Sequence, residues 1–421
     1  MKNKFLKNIL KTLMIAVMAM IVSCGDDDNG GNEPVSLITE VTSPSTLAAG
    51  DTLGSSKPAT IYKADVSVTG DVTLAGKIYI DDGATLSIDP GVTLTAASTD
   101  GDLDVLIIKQ GGQIDAQGTA ADPIVFTSGG TVGQRSPQDW GGIQILGYAP
   151  GKGGATGSTA EGLGDTHGIA GGTDDADSSG TMRYVIIQFA GKIYNENNEL
   201  NGLGLFGVGS GTTIDFVQTH RCSDDGFEPF GGSVALKNVV GSANEDDQLD
   251  CAGPWLGYVS NALAICCNDG GSAVEYDGDE GETGTGTSQT GVTNLVISSH
   301  SAGDYATLWR EDGVFNVNGG TWYVTNSHSV IHMQNDDSDG IGASLDLRDV
   351  TVYYTAENTF SISSNGNTLT YSGTTSSNEG ALPADTAWET AADLAAAAVA
   401  GTSIGAIDAG FDISWCLWPA D

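Results

Sequence analysis

The stretch Asn198 to Asp250 reads N-E-L-N-G-L-G-L-F-G-V-G-S-G-T-T-I-D-F-V-Q-T-H-R-C-S-D-D-G-F-E-P-F-G-G-S-V-A-L-K-N-V-V-G-S-A-N-E-D-D-Q-L-D. Short β-branched runs, Thr213-Ile-Asp-Phe-Val217 and Val234-Ala-Leu-Lys-Asn-Val-Val240, alternate with glycine-rich or acidic corners. The acidic corners recur. Asp224 to Asp246, Asp225 to Asp247 and Glu228 to Asp250 are each 22 residues apart, and a further 22 from Asp247 lands on Asp269. A fixed period of this size marks a stacked solenoid. With strands and turns at that period, the solenoid is a β-helix, because one coil buries its apolar face only when the next stacks on it.

The same pattern extends outward on both sides. Runs such as Val72-Thr-Leu74, Lys77-Ile-Tyr-Ile80 and Thr85-Leu-Ser-Ile88 are short, alternate in polarity and end at Gly or Asp-Gly, as half-buried strands require. Ile80-Asp-Asp-Gly83 to Thr95 is echoed by Ile108-Lys-Gln-Gly-Gly112 to Gly118. Later runs include Val292–Ile297, Gly313–Val317, Leu345–Tyr354 and Thr368–Tyr371. Two segments, Gly151 to Ser179 and Gly270 to Gly291, are poor in apolar residues and are expected to project as long loops. Asp385 to Ala400 is alanine-dense with an acidic start and Gly401 as a stop, the pattern of a helix. That helix and the tail through Trp415-Cys-Leu-Trp418 are expected to cap the C-terminal end of the solenoid.

The phrases Asp82-Gly-Ala-Thr-Leu-Ser-Ile-Asp-Pro-Gly-Val92, Trp140-Gly-Gly-Ile-Gln-Ile-Leu-Gly-Tyr-Ala-Pro150, Ser179 to Gly191, Gly207 to Val217 and Asp224-Asp-Gly-Phe-Glu-Pro-Phe-Gly-Gly232 resemble a family of surface lipoproteins from Bacteroidetes and marine bacteria. These are right-handed parallel β-helices. The resemblance runs from about Ile78 to Asp250 and weakens beyond. It implies a fold and a location, and no activity.

The first 23 residues carry four lysines, then the apolar run Leu13 to Val22, the pattern of a secretory signal peptide. Ile21-Val-Ser-Cys24 resembles a lipobox, which makes Cys24 the expected lipid anchor. The acidic run Asp26-Asp-Asp28 beside it resembles the export signal of lipoproteins that face the exterior. The expected organisation is therefore a leader at 1–23, a flexible acidic linker at 24–56, a β-helix at 57–380 and a cap at 381–421. The expected location is the outer membrane.

Lys and Arg number 16 against 54 Asp and Glu; taking away the leader's four lysines leaves 12 against 54, a formal charge of −42. Such a surface repels nucleic acid, and it repels acidic glycans too unless divalent cations bridge the charges. Five cysteines follow the anchor. For an exported chain a disulfide between Cys251 and Cys266 or Cys267 is expected. Cys222 and Cys266, two 22-residue periods apart, would stand about 9.6 Å from each other at roughly 4.8 Å per coil, too far to bridge.

Columns of like charge are destabilising, so stacked Asp224, Asp225, Asp246, Asp247 and Asp269 form a candidate calcium site. The alternative is that these acids fan outward at a solvated corner. A catalytic reading draws on Asp224 and Asp225, which superficially resemble the paired aspartates of polygalacturonases, with His220, Arg221 and Arg310 as proton-handling groups. The flanking residues depart from that family: Gly202 stands one coil before and Asp246-Asp247 one coil after. Trp140, Trp255, Trp309 and Trp322 are candidates for stacking on sugar rings, although capping and coil packing are the commoner fate of such residues. Function is thus expected to be that of a surface binding or adhesion scaffold for a glycan or a surface protein, the alternative being a polysaccharide lyase or hydrolase.

Overall fold

In a computed structural model, residues 38–376 and 413–421 are described, apart from 58, 98–102, 152–155, 162, 164–166, 193–198, 268–270, 279–288, 300–304, 311–312, 325–328, 335–343, 355–358, 363–367 and 420. Two long parallel sheets run the length of the solenoid. Sheet A has 12 described strands, from Thr39–Val41 to Thr359–Ile362, and each pairs with the strand one coil away. Sheet B runs from Ser45–Leu47 to Thr368–Ser376. The chain is a right-handed parallel β-helix. Its first coil begins at Thr39, so the expected linker boundary at 56 is corrected: Thr39 to Gly54 already supplies three strands. In these short strands Val41 and Leu47 are half-buried against the core and Leu53 is buried in it.

The 22-residue step is real but local. It separates Thr213 from Ala235 and Phe230 from Ala252, whereas Asp250 pairs with Glu275, Val274 with Thr307 and Ile143 with Leu203. The connections between paired strands differ in length, and the register shifts at Ser329/Ile331 and at Arg348/Thr351.

One corner is built by a backbone conformation that recurs from coil to coil. Gly180–Gln188 pairs through its first half with Gln113–Gln117 and through its second with Ile124–Ser128. It bends at Tyr184, where φ is 50°. The bend stacks coil upon coil through Phe216, Asn238, Asn261, Asn294, Gly319 and Asp349, all with positive φ. Asparagine tolerates this left-handed region, and its amide can bond locally. Asn294 Nδ2 donates to Asn261 Oδ1 at 3.2 Å, Asn261 Nδ2 to Asn238 Oδ1 at 3.0 Å, and Asn238 Nδ2 to Asp215 Oδ1 at 2.7 Å. Asn261→Ala should therefore cost about 2 kcal/mol, from left-handed strain plus a broken ladder. Asn261→Gly should cost less, and thermal unfolding of the two variants checks the order.

Inside the coils, Val, Ile and Leu stack in one continuous core from Leu53 to Val352. Trp140, Trp255, Trp309 and Trp322 belong to it and are at most 1% exposed. They fill the solenoid, the commoner fate expected of them, and cannot stack on sugars. The indole N–H of Trp140 donates to Gln188 O at 2.8 Å and that of Trp255 to Val234 O at 3.1 Å.

Outside the coils lie two further apolar clusters. Ala160, Leu163 and Ala170, from the segment expected to project, instead lie on Tyr79, Ile107, Leu146, Phe206 and Phe230 of the outer face of sheet A. An antiparallel pairing of Ser158–Thr159 with Ile169–Ala170 holds that segment's shape. On sheet B the outer face is covered by Trp415 and its neighbours. The described tail 413–421 thus flanks the solenoid and does not cap its end; the expected helix at 385–400 lies outside the described residues. The second expected loop contains the strand Val274–Asp277 and the start of Gln289–Ser299.

The disulfide expectation is also corrected. Cys222, Cys251 and Cys266 are buried thiols in the inner core, Cys267 belongs to the cluster outside sheet B, and no disulfide joins Cys251 to Cys266 or Cys267. Cys266 and Cys267 are consecutive, so the alternation of the strand sends them to opposite faces.

Candidate metal centre on the outer face of sheet A

The site forms where the chain turns from sheet B into sheet A. Thr213–His220 ends, the corner at 221–226 follows, and Phe227–Phe230 enters sheet A. Asp224 and Asp225 occupy this corner, and Glu228 points outward from the strand, between the inward Phe227 and the next coil. One coil on, Asp246, Asp247 and Asp250 repeat the arrangement. The coil after that places Glu275 against Asp250 in register and Asp277 two residues further along.

A buried amide network holds the second corner in shape. Asn244 Oδ1 accepts from Cys222 N at 3.0 Å, and Asn244 Nδ2 donates to Gln248 Oε1 at 3.0 Å and Thr219 Oγ1 at 3.3 Å. Gln248 Nε2 donates in turn to the carbonyls of Asn244 and Asp246, both at 3.3 Å. Gly226 is needed beside it, since a Cβ there would stand 2.3 Å from Asn244 Nδ2. This network fixes where the aspartates begin.

The carboxylates are then linked from coil to coil. Asp225 N donates to Asn201 Oδ1 at 3.2 Å, Asn201 Nδ2 donates to Glu228, Asp247 N donates to Asp225 Oδ1 at 2.9 Å, and Ser272 N donates to Asp247. One carboxylate oxygen from each of Asp224, Asp225 and Asp246 lies within 4.8 Å of the others, and the same holds for Asp225, Glu228 and Asp250. Asp225 is shared. Asp225, Glu228 and Asp247 are buried, and the buried Oδ1 of Asp250 meets no hydrogen-bond donor among the described residues.

Burial and mutual repulsion push these acids toward the neutral form. Desolvation, then the charges of neighbouring carboxylates, raises Asp225, Glu228, Asp247 and Asp250 well above the usual carboxylate range. Asp224 is pushed up to about 8 by the same causes, with Glu199, Asp246 and Glu161 as its charged neighbours. Asp246 is raised as well. Against this charge stands Arg310, paired with Glu275 and 3.5 Å from Asp277. Its burial works to lower its pKa, yet Glu275 and Asp277 hold it above the ordinary guanidinium value. Arg310 is thus a fixed cation in this geometry and a poor proton acceptor.

The residues singled out in the sequence divide between two faces. Asp224, Asp225, Asp246 and Asp247 come together, with Arg310 at the far end of the patch. Asp269 lies outside the described residues; the step in that coil is 25, so Ser272 takes the place over Asp247 that a strict 22-residue period gives to Asp269. His220 belongs to the outer face of sheet B, fully buried, its Nε2 donating to Pro419 O at 3.1 Å and its Nδ1 3.0 Å from Ser242 Oγ. Burial lowers its pKa to about 4. Arg221 follows it at the corner with φ 54° and a buried Nε that has no acceptor among the described residues. His220 therefore stands under the tail, on the other sheet from Glu228, Asp250 and Glu275. Cys24 lies outside the described residues.

Glu228, Asp250, Glu275, Asp277 and Asn201 are the site residues the sequence reading passed over. Glu228 and Asp250 were visible as a pair one period apart, but Glu275 is hidden by the change of step.

Fold and site together define a parallel β-helix with a carboxylate-lined patch on the outer face of one sheet. More particularly, the chain belongs to the family described as the pectate-lyase-like β-helix domain, whose model matches residues 60–403. No curated protein and no solved structure is significantly similar to it.

Proposed function

We propose that the chain is a lipid-anchored outer-membrane scaffold that binds acidic polysaccharide through divalent cations, calcium foremost. The observation that carries this reading is the shared cluster Asp224, Asp225, Asp246 and Asp225, Glu228, Asp250, in which Asp225 and Glu228 are buried, Asp224 and Asp250 half-buried and Asp246 exposed, with the Arg310 guanidinium paired to the neighbouring Glu275. Carboxylates packed so closely are either protonated or neutralised by a cation. An all-oxygen donor set with mixed geometry suits calcium. A cation held there would turn a repellent surface into one that accepts uronate carboxylates, which accords with the family's name. Cys24 and the leader support the anchored, exported setting.

The lyase alternative is favoured by family membership and by Arg310 beside the acids, and disfavoured by the ion pairs that keep that guanidinium protonated. One experiment separates the two. The chain is run over immobilised polygalacturonate and neutral glucan in calcium and in EDTA, while unsaturated uronate and new reducing ends are followed. Retention on polygalacturonate in calcium alone, without product, is expected, and it should be lost in Asp225→Asn/Glu228→Gln. Product formation would make the chain an enzyme, and equal retention in EDTA would end the cation reading.

A further inference from the structure

The tail Ile413 to Asp421 is held on the outer face of sheet B by contacts that read it in detail. Trp415 is fully buried and stands edge-on to Tyr184 and Phe216, with ring centroids 5.8 and 6.1 Å away, while those two rings stack on each other at 4.5 Å. The Gln218 amide brackets Leu417: Oε1 accepts from its N at 2.9 Å and Nε2 donates to its O at 3.0 Å. His220 takes Pro419 O, and the Trp418 ring meets the His220 ring edge-on at 5.9 Å. At the end, Arg135 closes a fork on Asp421, Nε to Oδ2 and Nη2 to Oδ1, each 2.7 Å, and Gly133 N donates to Oδ2 at 2.6 Å. The Arg135 fork, with these amides, holds the Asp421 carboxyl down to about 2. Leu417 over Gln218 and Pro419 over His220 keep one offset, so the tail runs alongside the strand Thr213–His220.

The tail also covers a strip that would be unusual on an open face. Ile186, Val240, Leu263, Ile265 and Val296, from the coils on either side of Gln218, point outward, are at most 1% exposed, and share one cluster with Trp415 and Cys416. Exposed, such a strip would be a contact surface. The groove therefore has a partner of known chemistry: two indoles, a main chain presented for bracketing, and a carboxylate for the fork.

We propose that Ile413–Asp421 is an exchangeable docking segment, and that a second copy of this chain is the partner whose segment the groove accepts. None of the contacts requires the segment to come from the same chain. The last described strand ends at Ser376, leaving 36 residues before Ile413. The path back to Thr213–His220 crosses six coils, about 29 Å at roughly 4.8 Å each. A chain of that length spans up to about 120 Å when extended, so the covalent link permits a neighbouring groove as well as its own. Exchange of an identical element is a low-cost route to a two-fold dimer. A tether of this kind keeps the segment at roughly millimolar concentration near its own groove. Dilute chains therefore hold their own segments, and exchange takes over where copies are crowded. The inference is independent of the acidic patch.

Complementary charge reversals test it. Arg135→Glu leaves a groove that rejects Asp421, and Asp421→Arg leaves a segment that Arg135 rejects. Each variant alone should run at the single-chain mass of 43.0 kDa and show faster proteolysis of the tail. Mixed in equal amounts they restore both forks only between chains, so the mass should double, whereas Arg135→Glu/Asp421→Arg in one chain should remain single with a protected tail. A mixture that stays at single-chain mass overturns the proposal. The parent chain checks it without substitution: sedimentation equilibrium up to about millimolar concentration should reveal a reversible dimer, and a single-chain mass throughout would contradict it.

Discussion

In EDTA, the melting temperature should fall steadily as pH is raised from about 5 to about 8, and calcium should remove most of that fall. Asp225, Glu228, Asp247 and Asp250 bind protons more tightly in the folded chain than in the unfolded one, and Asp224 does so up to about 8 against an ordinary value of 3.8. A raised folded-state pKa contributes stability that is complete below the unfolded value, near pH 4, and is lost as pH climbs through the folded value. Calcium binds the ionised cluster and reverses the penalty; at a hundred times its Kd it adds about 2.7 kcal/mol. Asp225→Asn/Glu228→Gln should flatten the pH profile in EDTA and abolish the calcium shift. Melting that ignores both pH and calcium would mean that the corner is merely solvated surface.

Arg310→Gln should have the second-largest effect. Its side chain is 34% exposed, but those of Glu275 and Asp277 are 15% and 6% exposed, and the substitution removes the guanidinium that pairs with both acids. Breaking a fully buried pair costs about 3–5 kcal/mol; with the guanidinium partly screened, about 2 kcal/mol is expected at neutral pH in EDTA. Denaturant unfolding measures it, and a cost within about 0.5 kcal/mol of zero, as for an ordinary surface substitution, would contradict it.

Much of the fold was legible because its determinants are local. The alternation in Lys77–Ile80 and Thr85–Ile88, with glycine at the corners, specifies strands without knowledge of their partners. The step from Asp225 to Asp247 marked stacked coils because that part of the chain has no insertion. The extent of the acidic patch was not legible, since a coil three residues longer than the 22-residue step carries Glu275 into register with Asp250. Nor was the L-shaped bend: Tyr184, Phe216 and Asn238 share a backbone conformation, not a residue type, so nothing in their identities announced a common column. The tail shows the limit most plainly. Trp415 and Trp418 are recognisable as residues that need covering, but what meets them is remote in the chain: Tyr184 and Phe216 for Trp415, His220 for Trp418.

The central claim is that the carboxylate ladder holds a divalent cation. The direct measurement is a calorimetric titration of the chain with calcium near pH 7, repeated in two buffers of different ionisation enthalpy. Saturable binding that releases protons, and that disappears in Asp225→Asn/Glu228→Gln, is the predicted result, because ions must displace the protons those buried acids retain. Absence of saturable heat in both buffers, or binding that releases no proton and survives the double substitution, would contradict it.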